Sequence, residues 1–416
     1  MPATLAEAVV NGNPHSSQRS AVSRIGVIAT LTLLSCVLIV KAAAPQGTAR
    51  SMDIDVSIRS AALGGASNAL FWGEERDHWA NPALLGYEQG IRYEHGNTPL
   101  MPGLASDITF ATDVVKIGGS GVGLVFSGQP WDHGGVHLDY GTSQGTDASG
   151  NPIGTFGSFE RVRSWGFGVS AMAALEAIFS TRGDTRNWDR YADLSFGMNF
   201  KDVTVSLAPS VGVEGSTTAR DYGVLLRLTP VDGITGPGGP PIRLDLSYGH
   251  SELSYNDGAV IDFPSESTPT PVSHHTRDGF GVHVAADPMR DHWPAHGTAG
   301  WLGPGLEPLF SFGFTVDHAT IEPTSTRTDG NGIEFTFARV FSYRMGHYHD
   351  QLGDIDGSTS GWSVGLPIGR WGGSYYEEAS FPQSTDSGLS DLNRKGFGLW
   401  ADAMAIWRSA HHSAPR

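Results

Sequence analysis

Apolar residues recur at every second position through most of the chain after residue 89. In the segment 190–200 one face carries Ala192, Leu194, Phe196, Met198 and Phe200, and the residues between them are small or polar. This period of two is typical of a β-strand with two unlike faces. About fourteen such segments lie at 89–95, 106–116, 120–127, 161–173, 190–200, 203–212, 218–229, 241–249, 277–286, 308–317, 332–345, 358–367, 371–379 and 396–407. The sequence therefore predicts an all-β fold.

The length and composition of these segments favour a membrane-spanning wall. Most segments approach the 9–11 residues with which a tilted strand crosses a bilayer, and the whole chain has four lysines, Lys41, Lys116, Lys201 and Lys395. In hydrocarbon every backbone N–H and C=O group must be paired within the protein, which a closed antiparallel barrel achieves without an exposed edge. We therefore predict a transmembrane antiparallel β-barrel of about 14 strands over residues 89–407, followed by a short tail at 408–416.

Two features do not fit this simple count. A tight turn at Lys201-Asp202 falls on the side of the barrel where long loops are expected. The count therefore either misses a strand, with GVHLDYG at 135–141 as the candidate, or includes one that does not exist. Arg339 lies on the aromatic face of IEFTFARVFSYR. An arginine facing lipid at the bilayer centre would cost about 2–4 kcal/mol. Either a bulge reverses the register there, or this aromatic face looks inward.

The beginning of the chain is typical of an export signal. Arg19 and Arg24 precede an apolar run of residues 26–40, which is too short to span a bilayer, and small residues follow it. We predict a signal peptide with an extended n-region over residues 1–42, cleaved near Ala42. Two alternatives remain open: a lipoprotein box at Leu33–Cys36, and a retained membrane anchor.

The next segment, residues 43–88, is predicted to be a hatch inside the barrel. Fourteen strands enclose a lumen too wide for their own side chains to fill, because about eight strands already fill one. Residues 50–88 are not strand-like, and they contain turn-forming features at Gly64-Gly65 and at Asn81-Pro82. A compact plug of this kind would close the lumen.

At these residues the chain resembles the FadL-like outer-membrane barrels, and most closely their PorV/PorQ branch. The resemblance rests on Arg59, on LGGA at 63–66 and on Asn81-Pro82-Ala83, and it continues through ARDYGVLLRLTP at 219–230 and the segment 332–367. The family usually has glycine where this chain has Leu84, and nine residues follow Trp407 where such barrels often end on an aromatic residue.

The resemblance implies a hatch whose residues gate a ligand path. The implied residues are Arg59, Gly64, Gly65, Ala66, Asn81, Pro82 and Ala83. A purely structural role remains the alternative, because turn chemistry alone accounts for these residue types.

The same resemblance implies passage of hydrophobic small molecules across the outer membrane of a Gram-negative cell. The alternative is a PorV-type component that docks secretion-system proteins or attaches proteins to the surface. The expected partners are outer-membrane lipid, hydrophobic small molecules and, in the alternative, secretion proteins.

Composition argues against several other functions. The net charge of −16 disfavours a nucleic-acid partner, and the single cysteine, Cys36, excludes a disulfide scaffold and a thiolate metal site. His347, His349, Asp350, Asp354 and Asp356 include only a fragment of a calcium loop and are predicted to form an acidic, solvent-exposed loop. No nucleophile elbow or phosphate loop is apparent, so we expect no catalytic residues, no metal and no cofactor.

Overall fold

The computed structural model describes residues 49–128, 135–146, 152–179, 191–208, 212–234, 241–255, 260–261, 270–288, 308–368, 371–384 and 387–402. The predicted export signal and the tail at 408–416 lie outside these ranges, and every structural statement below concerns the described residues.

Strands dominate the described part of the chain. They are β1 Gly90–Met101, β2 Ala105–Gly119, β3 Val122–Ser127, β4 Val136–Thr146, β5 Pro152–Ser170, β6 Ala192–Ala208, β7 Val213–Asp232, β8 Ile242–Tyr255, β9 Val260–Ile261, β10 Thr270–Pro271, β11 His274–Ala286, β12 Phe310–Glu322, β13 Thr326–Phe337, β14 Phe341–Asp350, β15 Ile355–Ile368, β16 Gly372–Phe381 and β17 Leu392–Ala401. The helices are α1 Ile58–Ala62 and α2 Ala171–Phe179, with 3₁₀ turns at Arg50–Met52 and Pro82–Tyr87.

One antiparallel sheet closes on itself. Its fifteen strands follow chain order around the wall, and β1 pairs with both β2 and β17. Strands β3 and β4 are successive parts of one position, because each pairs with β2 on one side and β5 on the other. The wall therefore has fourteen strand positions, and β9 and β10 form a separate hairpin. The predicted closed barrel of about 14 strands is confirmed.

The two faces of the wall differ as the alternation predicts. On β12, Phe310, Phe312 and Phe314 are 37–46% exposed, whereas Thr315 and Asp317 on the opposite face are buried. Aromatic and aliphatic side chains of this kind cover the exterior of most strands. An apolar exterior on a closed sheet is what a membrane requires, because the ladder leaves no strand edge in the lipid. In the described part of the chain, no helix is long and apolar enough to cross a membrane.

The strands run between two ends of the barrel. Because the number of strand positions is even, β1 begins and β17 ends at the same end, which we call the terminal end. The opposite end, where β8, β12 and β14 finish, is the far end.

The predicted number of strands is correct although two predicted boundaries are wrong, because one error adds a strand and the other removes one. The predicted turn at Lys201-Asp202 is wrong: β6 continues through it, because Lys201 points into the lumen and its Nζ lies 2.8 Å from Asp221 Oδ2 on β7. The predicted single segment 332–345 is instead the hairpin β13–β14. Arg339 lies in its turn with a φ of 56°, so neither explanation offered for a lipid-facing arginine applies. The candidate strand GVHLDYG is present as β4.

Candidate functional site

Residues 49–88, which we call the hatch segment, lie against the inner faces of the strands. At the far end Asp53 contacts His275 at the start of β11, with 2.9 Å between Oδ1 and Nε2. Further along, Arg59 bonds to Glu334 on β13. The 3₁₀ turn Pro82–Tyr87 lies on β3, β5 and β6, and the chain then enters β1 at the terminal end. The hatch segment thus runs the length of the lumen from the far end to the terminal end.

A row of inward-facing glycines makes room for the turn Pro82–Tyr87. Gly118, Gly123, Gly168, Gly197 and Gly223 are directly opposite one another on β2, β3, β5, β6 and β7. A Cβ atom on Gly197 would lie 2.2 Å from the carbonyl carbon of Pro82. The glycine row therefore lets hatch backbone lie directly on strand backbone, which no other residue type permits.

Asn81, Pro82 and Ala83 anchor this turn. The Asn81 side-chain oxygen accepts from the Ala83 N–H at 3.0 Å, and its Nδ2 donates to the carbonyls of Asn68 and Val224 at 2.9 and 3.2 Å. Pro82 occupies the first turn, where a missing N–H costs nothing. One asparagine thus caps the turn and also ties it to β7.

Gly64, Gly65 and Ala66 form a second contact with the wall. Gly64 and Gly65 have φ angles of 69° and 76°, a region that favours glycine. A Cβ on Gly64 would lie 2.2 Å from the His347 carbonyl oxygen on β14. Ala66 is fully buried beside them. Close backbone approach therefore explains Gly64, and the left-handed backbone conformation explains Gly65.

Arg59 holds the hatch segment to the wall through a buried ion pair. Its Nε and Nη2 donate to the two carboxylate oxygens of Glu334 at 2.8 and 2.6 Å, and its Nη1 donates to the carbonyls of Trp72 and Glu75 at 2.6 and 2.7 Å. Glu334 also accepts from Arg344 at 2.7 Å. Because the pair is buried and bidentate, each charge depends on the other for its stability.

Two neighbouring glutamates of the hatch segment have opposite protonation behaviour. Burial raises the pKa of Glu75, and the neighbouring Glu377 carboxyl raises it further, to about 8. Burial also acts on Glu74, but the charges of Arg339 and Arg92 outweigh it and lower the pKa of Glu74 to about 2. Glu75 is therefore protonated at neutral pH, whereas Glu74 is ionised and 2.5 Å from the Arg339 Nε.

These shifts predict that docking of the hatch segment weakens as the pH rises from about 4.5 to about 8. The pKa of Glu75 is raised from its usual 4.5 to about 8 in the folded state, so its contribution to stability is complete below 4.5 and is lost as the pH rises through about 8. Hydrogen exchange of residues 49–88, corrected for the intrinsic rise of amide exchange with pH, should therefore accelerate over this range and level off above about pH 8. The variant Glu75→Gln should remove this acceleration, whereas Glu74→Gln should keep it. The same pH response in Glu75→Gln as in the unaltered chain would contradict the assignment.

A cavity of about 400 Å³, which we call the upper chamber, lies at the far end above the hatch segment. Part of its lining is apolar and includes Ile54, Leu100, Phe110, Ile321, Phe381 and Leu392. Much of its charge is already paired. Asp53 contacts Arg50 at 3.0 Å and His275 at 2.9 Å, and Arg277 contacts Asp317 at 2.9 Å.

Arg394 is the exception among the arginines of this lining. Its guanidinium donates to the Asp55 carbonyl at 2.5 Å and to Thr98 Oγ1 at 3.4 Å, and within the described ranges no carboxylate forms an ion pair with it. It also lies 5.8 Å from the centre of the Phe110 ring. The upper chamber thus combines apolar walls with one positive charge that neutral oxygens satisfy.

Two further cavities, the lower chambers, lie on the terminal side of the hatch segment. One of about 280 Å³ is lined by Glu74, Glu75, Arg339, Arg344 and Glu377, and another of about 320 Å³ is lined by Trp72, Tyr87 and Arg227 among others. Glu334, the partner of Arg59, is part of the lining of the first of these cavities.

The predicted site residues divide into two groups. Gly64 and Gly65 line the upper chamber, whereas Arg59, Ala66, Asn81, Pro82 and Ala83 hold the hatch segment against the wall. The sequence analysis missed Arg50, Asp53, Arg277 and Arg394. For Arg277 and Arg394 the signal was a charge at an inward position near the far end of a strand, whereas Arg50 and Asp53 lie in a turn of the hatch segment. His347 and Asp356 do meet, at 2.9 Å, on the exterior. Among the described residues no group of three or more His, Cys, Asp or Glu could hold a metal ion.

The closed sheet, its apolar exterior and its occupied lumen define the class of protein: the chain is an outer-membrane β-barrel. No protein-family model matches the sequence, and no curated protein matches it. Among solved structures, the chain is similar to a FadL homologue from Pseudomonas aeruginosa, with 9% identity, coverage of 83% of this chain and 96% of that one, and a TM-score of 0.38.

Two toluene transporters give comparable values. The transporter TodX of Pseudomonas putida is 11% identical, with coverage of 82% and 96% and a TM-score of 0.39. The transporter TbuX of Ralstonia pickettii is 12% identical, with coverage of 83% and 98% and a TM-score of 0.36. The assignment as an outer-membrane barrel rests on the closed sheet and its exterior.

Proposed function

We propose that this barrel passes hydrophobic small molecules across the outer membrane, with the upper chamber as the entrance site and the hatch segment as the gate. One observation carries the proposal: a chamber of about 400 Å³ with a partly apolar lining lies directly on the hatch segment at the far end. Pockets of this size and lining bury most of a small apolar ligand. In this arrangement the far end faces the cell exterior and the terminal end faces the periplasm.

Gating in this proposal is assigned to the contacts that hold the hatch segment. Arg59, Gly64, Gly65, Ala66, Asn81, Pro82 and Ala83 act as its fixed points, and movement between them would connect the upper chamber to the lower chambers. Glu75 and Glu377 line the lower chamber of about 280 Å³. No catalytic step, metal or cofactor is needed for this function.

Filling the chamber tests the proposal. The variant Ala319→Trp places a large side chain at a buried inner position of β12 that lines the upper chamber. We expect uptake of a small neutral aromatic by cells that carry this variant to fall at least about tenfold. The matched control, Val316→Trp, faces lipid on the same strand and should leave uptake unchanged. Equal uptake in cells with and without the protein would reject the proposal.

The charge of Arg394, which neutral oxygens and no carboxylate contact within the described ranges, predicts a preference for apolar cargoes that carry a carboxylate. A hydrogen bond to a charged group contributes about 1.5–3 kcal/mol, so Arg394→Gln should reduce uptake of a long-chain fatty acid by about tenfold or more. Uptake of a neutral aromatic by the same variant should stay within about twofold of the unaltered chain, which also shows that the barrel is intact. Equal loss for both cargoes would mean that Arg394 acts only on the fold.

The alternative that the family resemblance implies, docking of a secretion or surface protein, makes a different prediction. It requires that a defined partner copurify from solubilised membranes, and that uptake be the same with and without the barrel. The two experiments therefore separate the two functions.

A further inference from the structure

A row of alternating histidines and aspartates crosses six neighbouring strands on the outside of the barrel. Its members, in order around the wall, are His250 on β8, Asp278 on β11, His318 on β12, Asp329 on β13, His349 on β14 and Asp356 on β15. Each residue is directly opposite the next in the strand register. We call this set the His–Asp row. With strands about 4.8 Å apart, it is about 24 Å long.

All six side chains point away from the lumen. Their side-chain exposures lie between 38 and 63%, whereas inward neighbours such as Ser251, Asp317 and Ser342 are buried. Directly towards the terminal end, the next outward side chains are apolar or aromatic on β8, β11 and β12, namely Tyr248, Phe280 and Val316, and polar on β13, β14 and β15, namely Asn331, His347 and Ser358. The row therefore lies where the apolar band of the exterior ends on the far side of β8, β11 and β12, and at the edge of a wider polar zone on the other three strands.

The aspartates fix how the histidines are presented. His250 Nδ1 lies 2.9 Å from Asp278 Oδ1, and His318 Nδ1 lies 2.9 Å from Asp329 Oδ1. Because a carboxylate only accepts, each Nδ1 carries a proton. The Nε2 of His250 lies 3.7 Å from Glu252 Oε1. For His318, the described contacts include none at Nε2. An imidazole held by a carboxylate in this way is fixed in orientation.

Other charged and titratable groups lie next to the histidines of the row and contribute to the net charge of this surface. His250 faces Asp278, Tyr248 and Glu252; His318 faces Asp278, Asp329 and Arg327; His349 faces Asp329, Asp356 and His347. With neutral imidazoles the row carries the three aspartate charges, and protonation of its three histidines cancels them. Histidine changes charge between pH 5 and 8. Each protonated ring then offers an N–H donor to a group in the surrounding membrane.

We propose that the His–Asp row is a proton-dependent binding site for anionic, phosphate-bearing lipid headgroups at the far-end boundary of the membrane. The partner follows from position and chemistry, since the row continues the lipid-facing band at the depth where headgroups replace hydrocarbon. A phosphate oxygen accepts the hydrogen bond that an outward imidazolium donates, and such charge-assisted bonds are strong. The site is separate from the chambers, so it does not depend on which cargo the barrel carries.

The test compares lipid retention at two pH values. Purified full-length barrel in mixed micelles of phosphatidylglycerol and phosphatidylcholine is analysed by native mass spectrometry at about pH 5.5 and about pH 8. We expect the ratio of bound phosphatidylglycerol to bound phosphatidylcholine to be about tenfold higher at the lower pH. The triple variant His250→Gln/His318→Gln/His349→Gln should bind both lipids alike at both pH values. Because all three positions are on the exterior, this variant should still form the barrel.

Two further variants decide between the row and histidines in general. His137→Gln removes an outward histidine whose register neighbours are Ala111 and Arg161, and it should keep the full pH response. Asp278→Asn/Asp329→Asn removes the carboxylates that orient the His250 and His318 rings, and the preference for phosphatidylglycerol at the lower pH should fall. A pH-independent lipid ratio in the unaltered barrel, or an unchanged response in the triple histidine variant, would overturn the proposal.

Discussion

Replacing Arg59 with methionine should release the hatch segment from the wall while the barrel itself remains closed. The substitution removes one partner of a buried, bidentate pair and leaves the Glu334 carboxylate with Arg344 alone. Breaking a buried ion pair from one side costs about 3–5 kcal/mol, and we expect a cost at the lower end of this range because Arg344 still pairs with the remaining carboxylate. We expect hydrogen exchange of residues 49–88 to accelerate by about two orders of magnitude or more. Heat-modifiable migration on gels should persist, since it reports the barrel.

A double variant separates the charge from the loss of packing. In Arg59→Met/Glu334→Gln neither buried charge of the pair remains, and protection of the hatch segment should return in part. If the double variant exchanges as fast as the two single changes together would predict, the pair contributes no coupling and Arg59 acts only through its contacts with Trp72 and Glu75. Uptake of a small aromatic should rise in the single variant if the hatch segment is the gate.

Introducing valine at Gly197 should have the second large effect. The new Cβ would lie 2.2 Å from the Pro82 carbonyl carbon and oxygen, and 2.5 Å from the Ala83 nitrogen. All three are backbone atoms, so no side chain can rotate away, and we expect a cost at the upper end of the overpacking range, about 3 kcal/mol. The turn Pro82–Tyr87 should leave the glycine row, and Trp79 and Tyr87 should change their fluorescence as their surroundings change.

Gly157→Val is the matched control, because a Cβ on Gly157 of β5 meets no atom within 4 Å. It adds the same side chain to the same wall, and its β propensity is favourable. Fluorescence and exchange of the hatch segment should match those of the unaltered chain. If Gly157→Val disturbs the hatch segment as much as Gly197→Val does, close backbone contact is not the reason for the glycine row.

The class of fold could be predicted because alternation follows directly from the physics of a membrane wall. A strand between lipid and lumen must present unlike faces. The alternation of Phe310, Phe312 and Phe314 therefore identifies the outer face even when the neighbouring strands are not known. Strand boundaries were less accessible. The sequence predicted a turn at Lys201-Asp202, yet Lys201 lies within β6 and pairs with Asp221 inside the lumen.

The internal site could be predicted only in outline. The width of a fourteen-stranded barrel requires something in the lumen, and the non-strand segment before β1 is the natural occupant. The glycine row was visible only as a high glycine content, since Gly168, Gly197 and Gly223 become neighbours through register alone. Arg394 and Arg277 were missed for the same reason, because the contacts of an inward charged side chain can be inferred only when the strands across the lumen are known. The PorV/PorQ branch of the resemblance stays a prediction.

The course of the hatch segment has a consequence for biogenesis. It is continuous with β1, and β1 forms the seam with β17, which joins the earliest and latest parts of the cylinder to be made. The hatch segment must therefore either lie in the lumen before β1 and β17 pair, or enter the barrel after it has closed. The backbone of Pro82 lies directly against that of Gly197, which leaves little space for the hatch segment to enter later. The geometry therefore favours a barrel that closes around a hatch segment already in place.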